Sequence, residues 1–269
     1  MMRRRMWGVL AVAVLMIAAC AQEAPPPPSP IGEVTRPELV GLINWERTPA
    51  TVVFRADVIG GLDAFAERNE VPPCTVYGDN RVIWTVLNAD QSESVAWDIV
   101  SDETIRLFVE RLTVEERIYS YTTGVDQLEA EGVQPTVERI TLYVNDELHE
   151  ADTYGGWSLG FFERVTDLCR SLSQAPTLFE PAGGWLSVMR VENDPSISSI
   201  RWNTRLSGVD LGRLADSGER SWVTGDSARV FWDVLRRRGY GTTFEDESGT
   251  VYQTAFEIPG VTRASPPPP

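Results

Sequence analysis

The sharpest catalytic pattern in this 269-residue sequence is Gly156-Trp157-Ser158-Leu159-Gly160, which matches the G-x-S-x-G turn that presents a nucleophilic serine. A serine attacks only when a base removes its proton, and that base is usually a histidine. The one histidine, His149, precedes Ser158, whereas in enzymes with this turn it follows, and the chain has no lysine to replace it. The pattern therefore favours a glycine-rich turn between a strand and a helix over a hydrolase site.

Metal binding has little support in the residue types. One histidine and the two separated cysteines Cys74 and Cys169 cannot build the usual zinc sets, and no C-x-x-C is present. Calcium needs only oxygen ligands, which Asn145–Glu147 with Glu150, or Glu245–Glu247, could supply. Neither group has EF-hand spacing, and turn formation explains both better. The sequence predicts no catalytic residue, no metal site and no cofactor.

Charge composition excludes some partners. The formal net charge is −15, with 39 acidic residues against 24 basic ones, all of them arginine. A chain this acidic is repelled by nucleic acid and by anionic lipid headgroups. The three consecutive arginines at 236–238 fall in the last turn of a predicted helix, where cations favour the helix dipole. We prefer that role to an anion site.

Tryptophan offers the remaining route to binding. Most of the nine tryptophans are expected in the core, but an exposed subset could form an aromatic face for a glycan, peptide or protein. Six tryptophans lie in or beside predicted elements and are expected in the core: Trp84, Trp97, Trp185, Trp202, Trp222 and Trp232.

The N-terminus has the three parts of an export signal. Arg3–Arg5 give a positive start, and Trp7–Ile17 is an apolar run, too short for a membrane span of about 20 residues. Ile17-Ala18-Ala19-Cys20 follows and resembles the lipobox of bacterial lipoproteins. The resemblance implies cleavage before Cys20, acyl chains on that cysteine, and anchoring at the extracytoplasmic face of the membrane. The alternative is an ordinary secreted protein whose cleavage site adjoins a cysteine.

A second resemblance lies further along the chain. Gly60-Gly61-Leu62 and the segment 73–83 (PCTVYGDNRVI) are similar to an uncharacterised bacterial lipoprotein family with the pattern P-x-x-T-[LV]-Y-G-D-G-R-V. Asn80 stands where glycine is usual, and asparagine also tolerates a left-handed turn. The motif turn (Tyr77, Gly78, Asp79, Asn80 and Arg81) indicates a hairpin and kinship, and it implies no activity.

The elements expected around these residues are mostly hairpins. Ser101 is expected to cap a helix whose buried face is Ile105, Phe108, Val109 and Leu112. We predict an α+β fold, with antiparallel sheets of hairpins and about three helices packed on a face. The predicted strands are 51–57, 75–77, 81–86, 137–144, 147–154, 185–191, 198–206, 242–245 and 250–258, and the other two helices are 158–172 and 227–238.

These elements give a provisional organisation. Residues 1–19 are the predicted signal peptide, 20–38 a lipidated cysteine with a proline-rich tether, 39–262 the globular domain, and 263–269 a disordered tail. The domain could divide into two subdomains near 176–184. Whether Cys74 and Cys169 are bonded or are two buried thiols is left open, because an exported chain permits either.

The functional expectation is a lipid-anchored envelope lipoprotein whose domain is a non-catalytic binding module. Its partners would be the membrane, through lipid on Cys20, and an envelope protein or glycan. The alternative is an envelope hydrolase that acts through carboxylates, with or without calcium. Its pair of catalytic carboxylates cannot be located among the 39 acidic residues of the sequence.

The anchor gives the first testable prediction. Replacing Cys20 by Ala should move the protein from the membrane fraction to the soluble fraction, because two or three acyl chains are needed for stable attachment. Cell fractionation followed by immunoblotting measures the shift. A variant that stays with the membrane contradicts lipid attachment at Cys20.

Overall fold

Twelve strands in two sheets organise the part of the chain that the structure describes. The structure is a computed structural model that describes residues 41–61, 63–125, 135–194, 196 and 198–264. The predicted signal peptide, Cys20, the tether and residues 265–269 of the predicted tail lie outside the described residues. No helix among the described residues is long and apolar enough to cross a membrane.

The first sheet has seven strands and is antiparallel throughout. Its order is β6-β5-β1-β2-β3-β4-β7. The strands are β1 (Val52–Ile59), β2 (Cys74–Tyr77), β3 (Arg81–Leu87), β4 (Glu93–Ile99), β5 (Val137–Val144), β6 (Glu147–Asp152) and β7 (Thr177–Leu178).

The second sheet has five strands in the order β10-β8-β12-β11-β9, and only the β9–β11 pair is parallel. The strands are β8 (Gly183–Arg190), β9 (Ile200–Arg201), β10 (Ser221–Thr224), β11 (Thr243–Glu245) and β12 (Val251–Glu257). The α-helices are α1 (Asp102–Val114), α2 (Phe161–Arg170), α3 (Thr204–Ser207), α4 (Leu211–Ser217) and α5 (Gly225–Arg238). The predicted α+β class with antiparallel-rich sheets is confirmed, and the described helices number five rather than about three.

Helix α1 forms as the sequence predicts. The Ser101 side chain accepts a hydrogen bond from the Thr104 N–H, which satisfies one unpaired donor of the first turn. All four residues of the expected inward face are buried. Helix α2 begins at Phe161 rather than Ser158, because Gly160 adopts a left-handed conformation with φ of 75°.

The predicted strand 198–206 is wrong beyond Arg201. Asn203 caps a short helix by accepting from the Leu206 N–H, and Gly208 ends it in a left-handed conformation. Helix α5 covers the predicted range 227–238 and begins two residues earlier, at Gly225. Val230 is 45% exposed, whereas Trp232 and Arg236 are buried.

Two hydrophobic cores lie on opposite faces of the first sheet. One packs α1 and α2 against that sheet, with Phe54 and Phe108 in edge-to-face contact. The other joins the first sheet, through Tyr77, to α5 and the second sheet. Since the second core draws on both sheets, the described residues between 41 and 264 group as one compact unit. The change of sheet falls between β7 and β8, within the predicted 176–184.

A disulfide joins Cys74 on β2 to Cys169 on α2, and both residues are fully buried. It closes a chain separation of 95 residues and ties the helical layer to the middle of the first sheet.

Removing this cross-link should lower stability. The Cys74→Ala/Cys169→Ala double variant is expected to lose about 3 kcal/mol of unfolding free energy, since the reduced chain has a larger unfolded ensemble. Urea titration of oxidised, reduced and double-variant protein measures the difference. Equal midpoints for oxidised and reduced wild type would contradict a stabilising disulfide.

Candidate functional site: a groove between the first sheet and the last helix

A groove of about 340 Å³ lies where the start of β4 and the end of β7 meet the second half of α5. This volume falls within the range of small-ligand sites. The lining comes from three chain segments, 88–95, 178–180 and 232–237. It is called the β4–α5 groove below.

One wall of the β4–α5 groove is aromatic. The rings of Phe179 and Trp232 meet edge to face, with centroids 5.5 Å apart. The Arg236 guanidinium lies 4.4 Å from the Trp232 ring centroid, on its face. This arrangement fixes the indole between an aromatic edge and a cation.

The floor of the groove is a buried polar network. The Arg236 side chain is 3% exposed. Its Nη1 donates to Glu93 Oε2 at 3.1 Å and to the Tyr240 hydroxyl at 2.7 Å. Its Nη2 donates to the Asn69 carbonyl, and the Tyr240 hydroxyl donates to Glu93. A buried arginine is tolerated when paired and bonded in this way.

Tyr240 acts in this network as a neutral hydrogen-bond donor. Burial raises the pKa of its phenol well above the usual value. The Arg236 charge opposes this shift and Glu93 adds to it. The phenol therefore keeps its proton at physiological pH, and the Glu93 oxygen that it contacts is already occupied by two donors. The floor is built to hold its shape.

The rim of the groove is acidic. Asp90, Glu180 and Asp233 join Glu93 in the lining, against Arg236 and Arg237. The hydrogen bonds from the Ser92 side chain and N–H lower the pKa of Asp90, which keeps that carboxylate charged. The Arg237 guanidinium lies 4.0 Å from Asp233, and both are exposed, so this pair holds the rim weakly.

The burial of Arg236 differs from the role predicted for the arginine triplet. Charge matching at a helix end suits only the exposed Arg237 and Arg238. One signal could have separated them. Trp232, Arg236 and Tyr240 are spaced four apart, which places them along one side of the helix and its extension.

The serine of the G-x-S-x-G pattern and the histidine His149 have different surroundings. Ser158 is exposed in the turn before α2. The His149 Nε2 lies 3.0 Å from the Ile118 carbonyl, and its ring packs 4.9 Å from Tyr119. Histidine and serine are thus engaged in separate local structures.

The two acidic segments considered for calcium are turns. Asn145 and Asp146 both have positive φ at the β5–β6 turn. Asp246 accepts hydrogen bonds from Ser248 and Thr250 at the β11–β12 turn. Among the described residues no group of three or more potential metal ligands comes together.

The motif turn joins three parts of the domain. A Cβ at Gly78 would lie 2.1 Å from the Glu46 carbonyl oxygen, so only glycine fits there. Arg81 pairs with Asp79 at 2.7 Å, stacks 4.7 Å from the Tyr77 ring, and donates to the Gly260 carbonyl. These contacts give the motif turn a structural role.

Asn80 links this turn to α1. It has φ of 70°, and its Nδ2 donates to Asp102 Oδ1 at 2.7 Å. Burial raises the pKa of Asp102, but hydrogen bonds from Asn80 and Arg47 lower it by more, so the pKa lies below the ordinary 3.8. The stabilisation that these bonds to the Asp102 carboxylate provide is therefore present at neutral pH and is lost as the pH falls through the folded-state pKa.

The tryptophans divide between core and surface. Trp84, Trp202 and Trp232 are buried, as expected. Trp185 and Trp222 are half-buried neighbours on the second sheet, with ring centroids 5.3 Å apart. With Trp97, which is also half-buried, they depart from the expected core position.

Comparisons with protein-family models, with curated proteins and with solved structures give no match. The resemblances to bacterial lipoproteins therefore remain predictions from the sequence.

Substitutions at Asn80 test the role of the motif turn. Asn80→Gly keeps the left-handed backbone and removes the bond to Asp102, so it should cost about 1 kcal/mol of unfolding free energy. Asn80→Ala adds backbone strain and should cost about 1 kcal/mol more. Chemical denaturation at pH 7 measures both.

The Asp102→Ala background is the control. In that background Asn80→Gly should change the unfolding free energy little, because the Asp102 carboxylate that Asn80 contacts is absent. An unchanged cost in that background would show that the Asn80–Asp102 bond contributes nothing.

Proposed function

We propose that the chain is a lipid-anchored lipoprotein of the cell envelope, and that its domain is a non-catalytic module binding a small polar ligand, such as a glycan unit, in the β4–α5 groove. The observation that carries the proposal is the groove itself. It combines a ligand-sized volume, an aromatic wall and hydrogen-bonding groups on a rigid floor. Sugars offer hydroxyls to such polar groups and C–H groups to such an apolar wall.

The chemistry of the lining supports binding over catalysis. Glu93 Oε2 already accepts bonds from Arg236 and Tyr240, and these three groups hold one another in place. A general base needs a free lone pair and a pKa near the working pH. Asp90 has a lowered pKa, which makes it a poor proton acceptor.

The acidic rim supplies a specific test. Asp90→Asn removes one rim charge and leaves the fold intact, because Asp90 is exposed and makes only local bonds with Ser92. Asp194→Asn is the matched control, since Asp194 makes the same bonds to Ser196 outside the groove. Glu180→Gln and Glu192→Gln form a second matched pair of exposed groove and non-groove positions.

The measurement is calorimetric titration of the full chain with a panel of soluble cell-wall glycan fragments. We expect one class of fragment to bind, and Asp90→Asn and Glu180→Gln to change its affinity about fivefold or more. That change corresponds to the loss of one good hydrogen bond. The two control variants should bind as wild type does.

Two results would contradict the proposal. Equal effects of groove and control variants would place the ligand elsewhere. Release of new reducing ends during incubation with the fragments would favour the alternative, an envelope hydrolase acting through carboxylates.

A further inference from the structure

Three of the four sheet edges in the described chain are protected against pairing with another strand. The edge strand β6 carries Glu147, His149 and Glu150, and charges on an edge discourage pairing. The edge strands β7 and β9 are each two residues long. So short a strand offers almost no ladder to extend.

The fourth edge, β10, has no such protection. Its sequence Ser221-Trp222-Val223-Thr224 is uncharged and rich in residues that favour strands. Within the described residues β10 pairs only with β8. In an antiparallel pair alternate residues direct their N–H and C=O groups away from the partner. About half of the β10 backbone groups therefore face outward.

A groove of about 240 Å³ runs along this open edge. Its lining includes all four residues of β10. Trp222 and Val223 point to opposite faces of the sheet, so a cavity that contacts both lies at the strand edge rather than on a face. The far wall is the segment 207–210 with Arg213 and Leu214. We call this space the β10 groove.

The volume of the β10 groove falls below the range of about 300–1,000 Å³ typical of small-molecule sites. An extended chain that runs beside β10 would complete the ladder of this edge.

Side chains beside the groove indicate the chemistry of that chain. The Trp222 ring lies against Gly183, where an added Cβ would be 2.9 Å from the indole, and it is half-exposed. Arg220 stacks 4.6 Å from the Trp185 ring. Arg213 lines the groove together with Asp210, whose carboxylate accepts a hydrogen bond from the Arg213 N–H. Tryptophan and arginine are the residue types enriched at binding hot spots.

We infer that the open edge of β10 binds an extended segment of a partner protein by strand addition, with an apolar side chain against Trp222 and a carboxylate towards Arg213 or Arg220. Main-chain hydrogen bonds supply affinity in this mode, and alternate side chains supply specificity. This site is separate from the β4–α5 groove, so a result against one binding proposal leaves the other standing.

Selection of peptides from a random dodecapeptide library on the full chain in mild detergent tests the inference. Enriched sequences should alternate an apolar residue with other types and carry an acidic residue. Trp222→Ala should weaken the best peptide about thirtyfold, as truncation of a hot spot does. Trp157→Ala, another half-buried tryptophan, is the matched control and should leave affinity unchanged.

A backbone scan makes the test independent of whether Trp222→Ala folds. Methylating the peptide nitrogens one at a time should weaken binding to wild type at every second position, because only alternate N–H groups face β10. Absence of enriched binders, a scan without this period of two, or equal effects of both tryptophan variants would overturn the inference. So would a concentration-dependent dimer abolished by Trp222→Ala, since the occupant would then be a second copy.

Discussion

The carboxamide of Asn69 makes hydrogen bonds with β12 that a neighbouring strand would otherwise make. Its Nδ2 donates to the Thr254 carbonyl at 2.9 Å, and its Oδ1 accepts from the Phe256 N–H at 2.7 Å. Strand β11 pairs with β12 only as far as Gln253, so beyond that point these backbone groups need another partner. An unpaired buried amide costs about 1–3 kcal/mol, and Asn69 is fully buried.

Asn69 also connects the second sheet to the first. It lies in a short 3₁₀ helix, Ala66–Asn69, between β1 and β2. Its carbonyl accepts from Arg236 on α5, and Arg236 pairs with Glu93 on β4. One residue therefore joins β12, α5 and, through the arginine, strand β4 of the first sheet. The floor of the β4–α5 groove is rigid because it is the same network.

The C-terminal segment strengthens this junction from the other side. Arg263 forms an ion pair with Asp57 on β1 at 2.8 Å and another with Glu70, the residue after Asn69. Burial raises the pKa of Glu70, and the Arg263 charge opposes that shift. Arg263 falls in the segment predicted as a tail, yet its side chain is largely enclosed by these contacts.

Local patterns in the sequence predicted what local forces determine. The Ser101 cap and the buried face of α1 depend on neighbours within one or two turns, and both were identified. The motif turn was identified as a hairpin, since its own residues dictate the reversal. Whether Cys74 and Cys169 form a disulfide is not predictable from the sequence, because sequence separation says nothing about the distance between two cysteines.

The candidate sites were not predictable in the same way. The β4–α5 groove draws on three distant segments, and Arg236 becomes its floor only when Asn69 and Glu93 meet it through tertiary packing. The open edge of β10 depends on strand order, which hairpin patterns do not specify. The strand pattern does not predict the short helix at Thr204–Ser207. The Asn203 cap and the left-handed Gly208 stabilise its two ends, and they outweigh the strand preference of the residues before it.

The central claim is that Asn69 makes the two sheets one cooperative unit. Native-state hydrogen exchange measures this directly at the Phe256 amide, which depends on Asn69, and at the Ala56 amide in the middle of the first sheet. We predict that both exchange only by global unfolding, with the same opening free energy and the same dependence on denaturant. A Phe256 amide that exchanges through a smaller opening, while Ala56 remains protected, would contradict the claim.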